Sequence, residues 1–278
     1  MKNQLIIFSK NRACQLHLLL ESIEKNSNNL FSNISEIYKF TNKNYHEGYK
    51  KICRYFSNVN FIVETNFYED TINAIKSEYD FTTFMVDDNV FYKGLSVDKG
   101  KIHSMFMDNI TTINCFSLRL GLNCNYSHPA NLSYELNKHE VVGDFIKINV
   151  YEQKGDFAYP LSVDGHIFES VFIKSSLERL GNFTNPNTLE GGLQFLNMEI
   201  NNYMLLLKES VLVGVPANVV NDTHPNRRGL EFYFSESELN IRYINNEVID
   251  IGSMDFTNIN GPHKEIDYKF KKYVTELS

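Results

Sequence analysis

The sequence has few of the features that mark secreted, membrane-spanning or nucleic-acid-binding proteins. Its 278 residues include four widely spaced cysteines and no Cys-x-x-Cys pair, so neither a zinc knuckle nor a disulfide framework is predicted. The sequence contains no apolar run of about 18 residues, so no transmembrane helix is predicted. The apolar run 5–8 is too short for a secretory signal peptide. Lysine and arginine total 27 against 34 acidic residues, and the net charge of −7 argues against general nucleic-acid binding. We therefore expect a cytoplasmic protein with reduced thiols.

The first ninety residues alternate between strand and helix patterns. Short apolar runs predict strands, and apolar residues at i, i+3, i+4 and i+7 predict the first helix. This alternation indicates parallel strands joined by right-handed crossovers in an α/β domain. The predicted strands are 4–8, 36–41, 60–64 and 81–86, and the helices follow at 16–23, 45–56 and 70–78, the last with Asp70 as its N-terminal cap.

The remainder of the chain is less regular. Strands are predicted at 113–118, 144–150 and 211–215, a helix from the apolar stripe 193–207, and a helical tail over 264–277. No repeat, low-complexity linker or clear domain boundary interrupts the pattern, which favours a single domain.

Two polar segments follow predicted strands of the first half. Ser9, Lys10, Asn11 and Arg12 come after the first strand, and Asp87-Asp88-Asn89 follows the fourth. Ligands of open parallel sheets bind beyond the carboxyl ends of the strands, so both segments are expected at one crevice. Adjacent carboxylates are costly unless they are solvated or bound to a cation, and Mg²⁺ or Mn²⁺ is a suitable one. The alternative interpretations are an acidic turn and an ordinary polar turn that caps a helix.

These segments resemble the GT-A-fold nucleotide-sugar glycosyltransferases of the family-2-like kind. The resemblance covers residues 4–90, on SKNR and FMVDDN, and continues more weakly through CFSLRLG (115–121), YPLSVDGHIF (159–168) and NPNTLEGG (185–192). It implies a GT-A-like, Rossmann-related fold with a mostly parallel central sheet flanked by helices. Residues 1–110 would form the nucleotide-sugar-binding half, 111–255 the acceptor-binding and catalytic half, and 256–278 a helical tail.

The resemblance also implies roles for the polar segments. Ser9, Lys10, Asn11, Arg12 and Asp87 would bind the nucleotide donor, while Asp88 and Asn89 would bind a divalent metal, Mn²⁺ or Mg²⁺. Family members carry a third acid where this chain has Asn89, so strict metal dependence is in question.

The resemblance places a catalytic base well after the acidic motif, and two carboxylates fit. Glu190 begins the striped helix and Asp164 lies in SVDGH. Either could remove the proton of an acceptor hydroxyl. The alternatives are a helix capping box from Asn187 to Glu190 and a turn aspartate before Gly165. The pair Gly191-Gly192 is a poor way to open a helix unless a ligand, such as a sugar ring, approaches the backbone closely.

The segment NDTHPNRRG supplies further candidates. The resemblance suggests His224 as a late metal ligand, and Arg227 and Arg228 suit a diphosphate. An exposed loop with a surface arginine pair is the alternative. The tail lysines could contact an anionic membrane, or form the solvated face of a helix.

The predicted function is transfer of a sugar from a nucleotide-diphosphate donor to a saccharide or glycoconjugate hydroxyl, by a metal-assisted, inverting displacement. One alternative is a sugar-phosphate nucleotidyltransferase, which requires a glycine-rich loop after the first strand that SKNRACQ lacks. The other is a non-catalytic carbohydrate-binding protein of glycosyltransferase ancestry. Nucleic acid is not an expected partner.

Overall fold

A computed structural model describes residues 2–108, 113–196, 203–220 and 231–273. Its strands are β1 (Asn3–Lys10), β2 (Asn33–Lys39), β3 (Asn60–Val63), β4 (Phe81–Val86), β5 (Asn89–Phe91), β6 (Ile113–Ser117), β7 (Tyr126–Ser127), β8 (Leu132–Ser133), β9 (His139–Val142), β10 (Phe145–Asn149), β11 (His166–Glu169), β12 (Tyr203–Leu207), β13 (Leu212–Gly214), β14 (Glu247–Ile249) and β15 (Phe270–Lys272). Its α-helices are α1 (Ala13–Asn26), α2 (Lys43–Tyr55), α3 (Phe67–Ala74), α4 (Lys99–Met107), α5 (Ser170–Leu180), α6 (Pro186–Leu196) and α7 (Glu236–Ile244).

A nine-stranded sheet of order β3-β2-β1-β4-β11-β6-β12-β10-β9 organises the fold. The four N-terminal strands are mutually parallel, as the alternating pattern predicted. Strand β11 is antiparallel to both neighbours, β12 is parallel to β6, and β10 is antiparallel to β12 and β9. Seven of the nine strands described in this sheet therefore point the same way, and the predicted α/β class with a mostly parallel central sheet is confirmed.

Apolar side chains cover both faces of this sheet. In β1, Leu5 and Ile7 join the cluster under α1, α2 and α7, while Ile6 and Phe8 join the opposite cluster with α3, α5 and α6. A strand that is buried on both faces reads as a continuous apolar run rather than an alternating one, and this is why the first strand was recognisable. The chain forms three layers, with the sheet in the middle.

Two predicted helices are corrected by the structure. The stripe 193–207 divides into the end of α6 at Leu196 and the strand β12, which pairs with β6 and β10. Residues 264–273 form no helix, because Phe270–Lys272 pairs antiparallel with Glu247–Ile249. Burial of Ile266 and Tyr268, with Phe270 packed on the same core, shows the two-residue period of an extended chain.

The start of α3 also differs from the prediction. The side chain of Asn66 caps this helix by accepting a hydrogen bond from the Glu69 amide at 3.1 Å. Asp70 lies in the first turn and accepts hydrogen bonds from the Thr65 and Asn66 amides at 2.7 and 2.9 Å. The carboxylate thus stabilises the start of the helix without being its cap.

Within the described ranges, the helices are all too short or too polar to cross a membrane.

A histidine is buried among aromatic rings where α1 meets α7. His17 is 1% exposed, and its Nδ1 lies 3.0 Å from the hydroxyl of Tyr243. The rings of Tyr55, Phe56 and Tyr273 meet it edge to face. Burial lowers the pKa of His17 from 6.5 to about 4, while the nearby charges of Glu21, Lys51 and Lys271 act in opposite directions on it. The imidazole is therefore neutral in the folded protein at pH 7.

We expect His17 to make the fold sensitive to mild acid. Between the unfolded pKa near 6.5 and the folded pKa near 4, the unfolded chain binds a proton that the folded chain does not, so stability falls as pH falls. The resulting loss between pH 7 and pH 5 is about 2 kcal/mol. Urea denaturation at both pH values should show a smaller pH dependence for His17→Gln than for the wild type. An equal pH dependence in the two proteins would contradict this assignment.

Candidate functional site

A cleft of about 720 Å³ opens at the carboxyl ends of β1 and β4. The start of α6 and the segments 127–130 and 155–164 contribute to its lining as well. The two polar segments that were expected at one crevice meet here, 75 residues apart in the chain. The residues selected from the sequence that line the cleft are Ser9, Lys10, Arg12, Asp87, Asp88, Asp164 and Glu190.

Arg12 is held by the acidic pair rather than presented to solvent. Its Nη1 donates to Asp87 Oδ1 at 2.9 Å and to Asp88 Oδ2 at 3.2 Å, and its Nε and Nη2 donate to Asn218. Burial lowers the pKa of Arg12, but the two carboxylates raise it more, so the net pKa is above its ordinary value. This guanidinium offsets the charge of Asp87 and Asp88 and has little capacity left for a phosphate.

The other residues of the first segment differ in their placement. The hydroxyls of Ser9 and Tyr49 are hydrogen-bonded at 2.6 Å, and Lys10 Nζ donates to the Val220 carbonyl at 2.7 Å. Asn11 does not line the cleft. Its φ of 61° is in the left-handed region that asparagine tolerates, and its side chain links the end of β1 to Thr41. Asn11 therefore shapes the turn and offers no ligand group.

The acidic motif presents one of its two predicted metal ligands to the cleft. Asn89 lies beneath it, where Oδ1 accepts from the Val86 amide at 3.1 Å and Nδ2 donates to Asp164. Burial raises the pKa of Asp88 to about 6, with Arg12 opposing and Asp87 and Asp164 reinforcing the shift. The described part of the chain contains no group of three or more His, Cys, Asp or Glu side chains arranged to hold a metal ion.

Asp88 nevertheless suits a cation that takes most of its ligands from a substrate. Its Oδ2 contacts Arg12, and its Oδ1 has no hydrogen-bond partner among the described residues. Mg²⁺ and similar ions in proteins are commonly bound by one or two carboxylates, with substrate phosphates and water completing the shell. Asp88 fits that mode of binding, whereas Asn89 as placed does not.

Asp164 is committed to an ion-pair network. Its Oδ2 accepts from Arg119 Nη1 at 2.5 Å and lies 3.2 Å from His263 Nε2, while Asn89 donates to Oδ1. Burial raises the pKa of Asp164, but the lowering effect of Arg119 and His263 is larger. The net pKa is therefore well below its ordinary value. A carboxylate with so low a pKa is a weak proton acceptor, so its geometry favours a positioning role. The backbone turns sharply after Asp164 at Gly165, whose φ of +76° lies in the left-handed region that favours glycine.

Glu190 differs from Asp164 both in its contacts and in the direction of its pKa shift. Oε1 accepts from Ser162 Oγ at 2.5 Å and from the Val163 amide at 3.0 Å, and Oε2 has no partner among the described residues. Burial raises the pKa of Glu190 above its ordinary value, against the lowering effect of Arg119. The capping-box alternative does not apply, because Asn185 caps α6 by accepting from the Thr188 amide at 3.0 Å. This carboxylate is anchored through one oxygen beside the cleft.

Sequence reasoning missed Arg119 and His263, two basic side chains that line the cleft and contact Asp164. Arg119 is 4% exposed, and its Nη2 lies 3.8 Å from Asp156 in addition to the contact with Asp164. Hydrogen bonding to Asp164 raises the pKa of His263, although burial acts to lower it. The signal for Arg119 was a lone charge in the apolar run CFSLRLG. The sequence around His263 carries no comparable signal.

Three predicted residues, His224, Arg227 and Arg228, lie outside the described residues. The tail lysines are described, and acids neutralise three of them: Lys269 pairs with Asp267, Lys271 with Glu21 and Asp250, and Lys272 with Glu247. Lysines that are already paired are a weak attraction for an anionic membrane.

Comparisons with known proteins agree with the predicted resemblance. No protein-family model matches the chain. A curated relative, the bifunctional glycosyltransferase pgtA of Dictyostelium discoideum, is 25% identical over 255 residues, which cover 80% of this chain and 33% of the relative. The chain thus spans about a third of the length of that relative. The similarity to a glycosyltransferase that the motifs indicated is confirmed by this match.

The solved structures that are similar to this chain share less of its sequence. The 1–349 fragment of TarS from S. aureus, in complex with UDP-GlcNAc, is 13% identical with a TM-score of 0.46, covering 88% of this chain and 65% of that one. The mannosyltransferase PcManGT from Pyrobaculum calidifontis, in complex with GDP-Man and Mn²⁺, is 10% identical with a TM-score of 0.41, covering 75% and 55%.

Proposed function

We propose that this chain transfers a sugar from a nucleotide-diphosphate donor to a hydroxyl of a saccharide or glycoconjugate. One observation carries the proposal: Glu190, anchored through one oxygen and raised in pKa, lines the same cleft as Asp88 at the carboxyl ends of the parallel strands. Similarity to the glycosyltransferase pgtA over most of this chain supports it.

The reaction requires one proton acceptor and a means to offset the charge of the leaving group. Glu190 takes the proton of the acceptor hydroxyl. The hydroxyl oxygen bonds to the anomeric carbon of the donor sugar, while the bond from that carbon to the diphosphate breaks. The displacement inverts the anomeric configuration. Asp164 keeps Arg119 and His263 in fixed positions at the cleft, and Arg12 holds Asp87 and Asp88 in place.

A divalent cation, Mn²⁺ or Mg²⁺, held by Asp88 would neutralise negative charge on the departing diphosphate. The roles predicted for His224, Arg227 and Arg228 remain predictions. We also infer a reducing, cytoplasmic compartment, because all four cysteines are free thiols and three of them are buried.

Incubation with UDP-glucose, UDP-GlcNAc and GDP-mannose in Mn²⁺ or Mg²⁺ tests the function directly. We expect one of these donors to release its nucleoside diphosphate and to raise the melting temperature. Release of pyrophosphate from a nucleoside triphosphate and a sugar phosphate would indicate a nucleotidyltransferase instead. A protein that binds none of these compounds would contradict both activities.

Asp88→Asn separates a cation-binding role from simple charge repulsion. With Mn²⁺ present, we expect the variant to bind UDP or GDP at least about tenfold more weakly, because a neutral amide is a poorer ligand than a carboxylate. With EDTA instead, the variant should bind as well as the wild type or better, because a negative charge has been removed. Calorimetric titration in both conditions measures this reversal.

A matched control is Glu140→Gln, which changes an exposed acid of β9 outside the cleft and should alter neither affinity. Equal weakening of Asp88→Asn in Mn²⁺ and in EDTA would argue that Asp88 acts without a metal.

A further inference from the structure

Helix α6 contains two adjacent interior glycines, which the structure explains differently. Glycine weakens a helix interior relative to alanine because it loses more backbone freedom on folding. A Cβ on Gly192 would lie 2.7 Å from Leu180 Cδ1, so this glycine allows α6 to pack against α5. Apart from the chain neighbours and the backbone of the same helix, a Cβ on Gly191 would have no described atom within 4 Å. Packing within the described part of the protein therefore gives no reason for a glycine at position 191.

Gly191 lines the cleft directly after the proposed base. The cleft is also lined there by Glu190, by Asn187 of α6 and by Asn185, which caps the helix. An alanine here would be tolerated by the protein and would project its methyl group into open space beside the cleft. A glycine at position 191 thus makes the helix less stable than alanine would and leaves space beside the cleft.

We propose that Gly191 is a specificity-determining position of the acceptor subsite, where the ring of a saccharide acceptor packs against the bare helix backbone. This inference rests on the proposed function. A base must lie within about 3 Å of the hydroxyl that it deprotonates, so the acceptor binds on the wall that Glu190 occupies. The acceptor ring next to that hydroxyl then lies beside α6, and under the proposed function the donor diphosphate lies toward Asp88.

The test compares Gly191→Ala with the wild type in two reactions. The first is hydrolysis of the donor identified in the panel, in which water is the acceptor and needs no clearance. The second is transfer of the same sugar to an array of mono- and disaccharides. We expect hydrolysis and donor KM to stay within about twofold, while the KM for the best saccharide rises about tenfold, the effect of one methyl group in a close-fitting pocket. The melting temperature should be unchanged or higher.

Two further glycines provide matched controls. Gly94→Ala places a methyl group in open space outside the cleft and should change neither reaction. Gly192→Ala should lower the melting temperature, because its Cβ meets Leu180.

Several outcomes overturn the inference. An unchanged saccharide KM in Gly191→Ala, or a melting temperature below that of the wild type, removes its basis. A parallel loss of hydrolysis and transfer places the glycine in the donor subsite instead. A wild-type protein that hydrolyses a nucleotide sugar but modifies no saccharide on the array also contradicts it, although the donor half of the proposed function would stand. Absence of both donor binding and hydrolysis would instead show that the proposed function itself fails.

Discussion

Replacing Glu190 by glutamine should lower the rate of sugar transfer by roughly 10²- to 10⁴-fold, the usual contribution of a general base. Glutamine keeps the size of the side chain and can still accept hydrogen bonds from Ser162 and Val163 through its carbonyl oxygen. Folding and binding of the nucleoside diphosphate should therefore remain. Steady-state kinetics with the donor from the panel, together with calorimetric titration of UDP or GDP, measure the two effects separately.

The pH dependence provides an independent check on Glu190. Because the pKa of this carboxyl is raised above its ordinary value, the fraction that can accept a proton falls as the solution becomes acidic. The wild-type rate should decline on the acid side, and Glu190→Gln should lack that limb.

Asp164→Asn is the matched comparison for Glu190→Gln. This change removes the charge that Arg119 and His263 share, so it should reduce both stability and activity. If Glu190→Gln transferred sugar at the wild-type rate, the assignment of Glu190 as the base would be wrong.

The second large effect is expected at Arg12. Replacing this residue by methionine leaves Asp87 and Asp88 close together, with Asp87 almost fully buried and with no other ion-pair partner among the described residues. Removal of one partner from a buried ion pair costs about 3–5 kcal/mol, because the remaining charge is left uncompensated. Urea denaturation at pH 7 should show a loss of that size for Arg12→Met.

Two variants make the interpretation of Arg12→Met specific. Arg54→Met, at an exposed position on α2, should change stability by less than about 0.5 kcal/mol. The double variant Arg12→Met/Asp87→Asn should recover part of the loss, because one of the two uncompensated charges has also been removed. A loss below about 1 kcal/mol in Arg12→Met would show that water, rather than Arg12, compensates the acids.

This structural role changes the interpretation of the first polar segment. The sequence suggested that Arg12 meets the nucleotide, but its guanidinium is hydrogen-bonded to two carboxylates and to Asn218. Lys10 donates to the Val220 carbonyl. The basic side chains that contact Asp164 are Arg119 and His263, neither of which was selected as a site residue from the sequence.

The sequence by itself determined the first half of the fold. Strands β1 to β4 and the helices between them depend on short apolar runs and helical periodicity, both of which are local properties. Asp87 and Asp88 were found for the same reason, because a buried strand that ends in two acids is visible in a few consecutive residues. The placement of both polar segments at one crevice followed from the parallel topology.

The strands predicted at 113–118, 144–150 and 211–215 are also present, as β6, β10 and β13. Only the tertiary structure decided the other strands of the second half and the charges of the site. Tyr203–Leu207 and Phe270–Lys272 are strands because partners far away in the chain supply their backbone hydrogen bonds, which no local period records. Arg119 lies 45 residues from Asp164 in sequence, and His263 approaches the same carboxylate from the end of the described chain. Whether a carboxylate is a base or a fixed ion depends on the charges that folding brings beside it, and those differ for Glu190 and Asp164 although each looked suitable in the sequence.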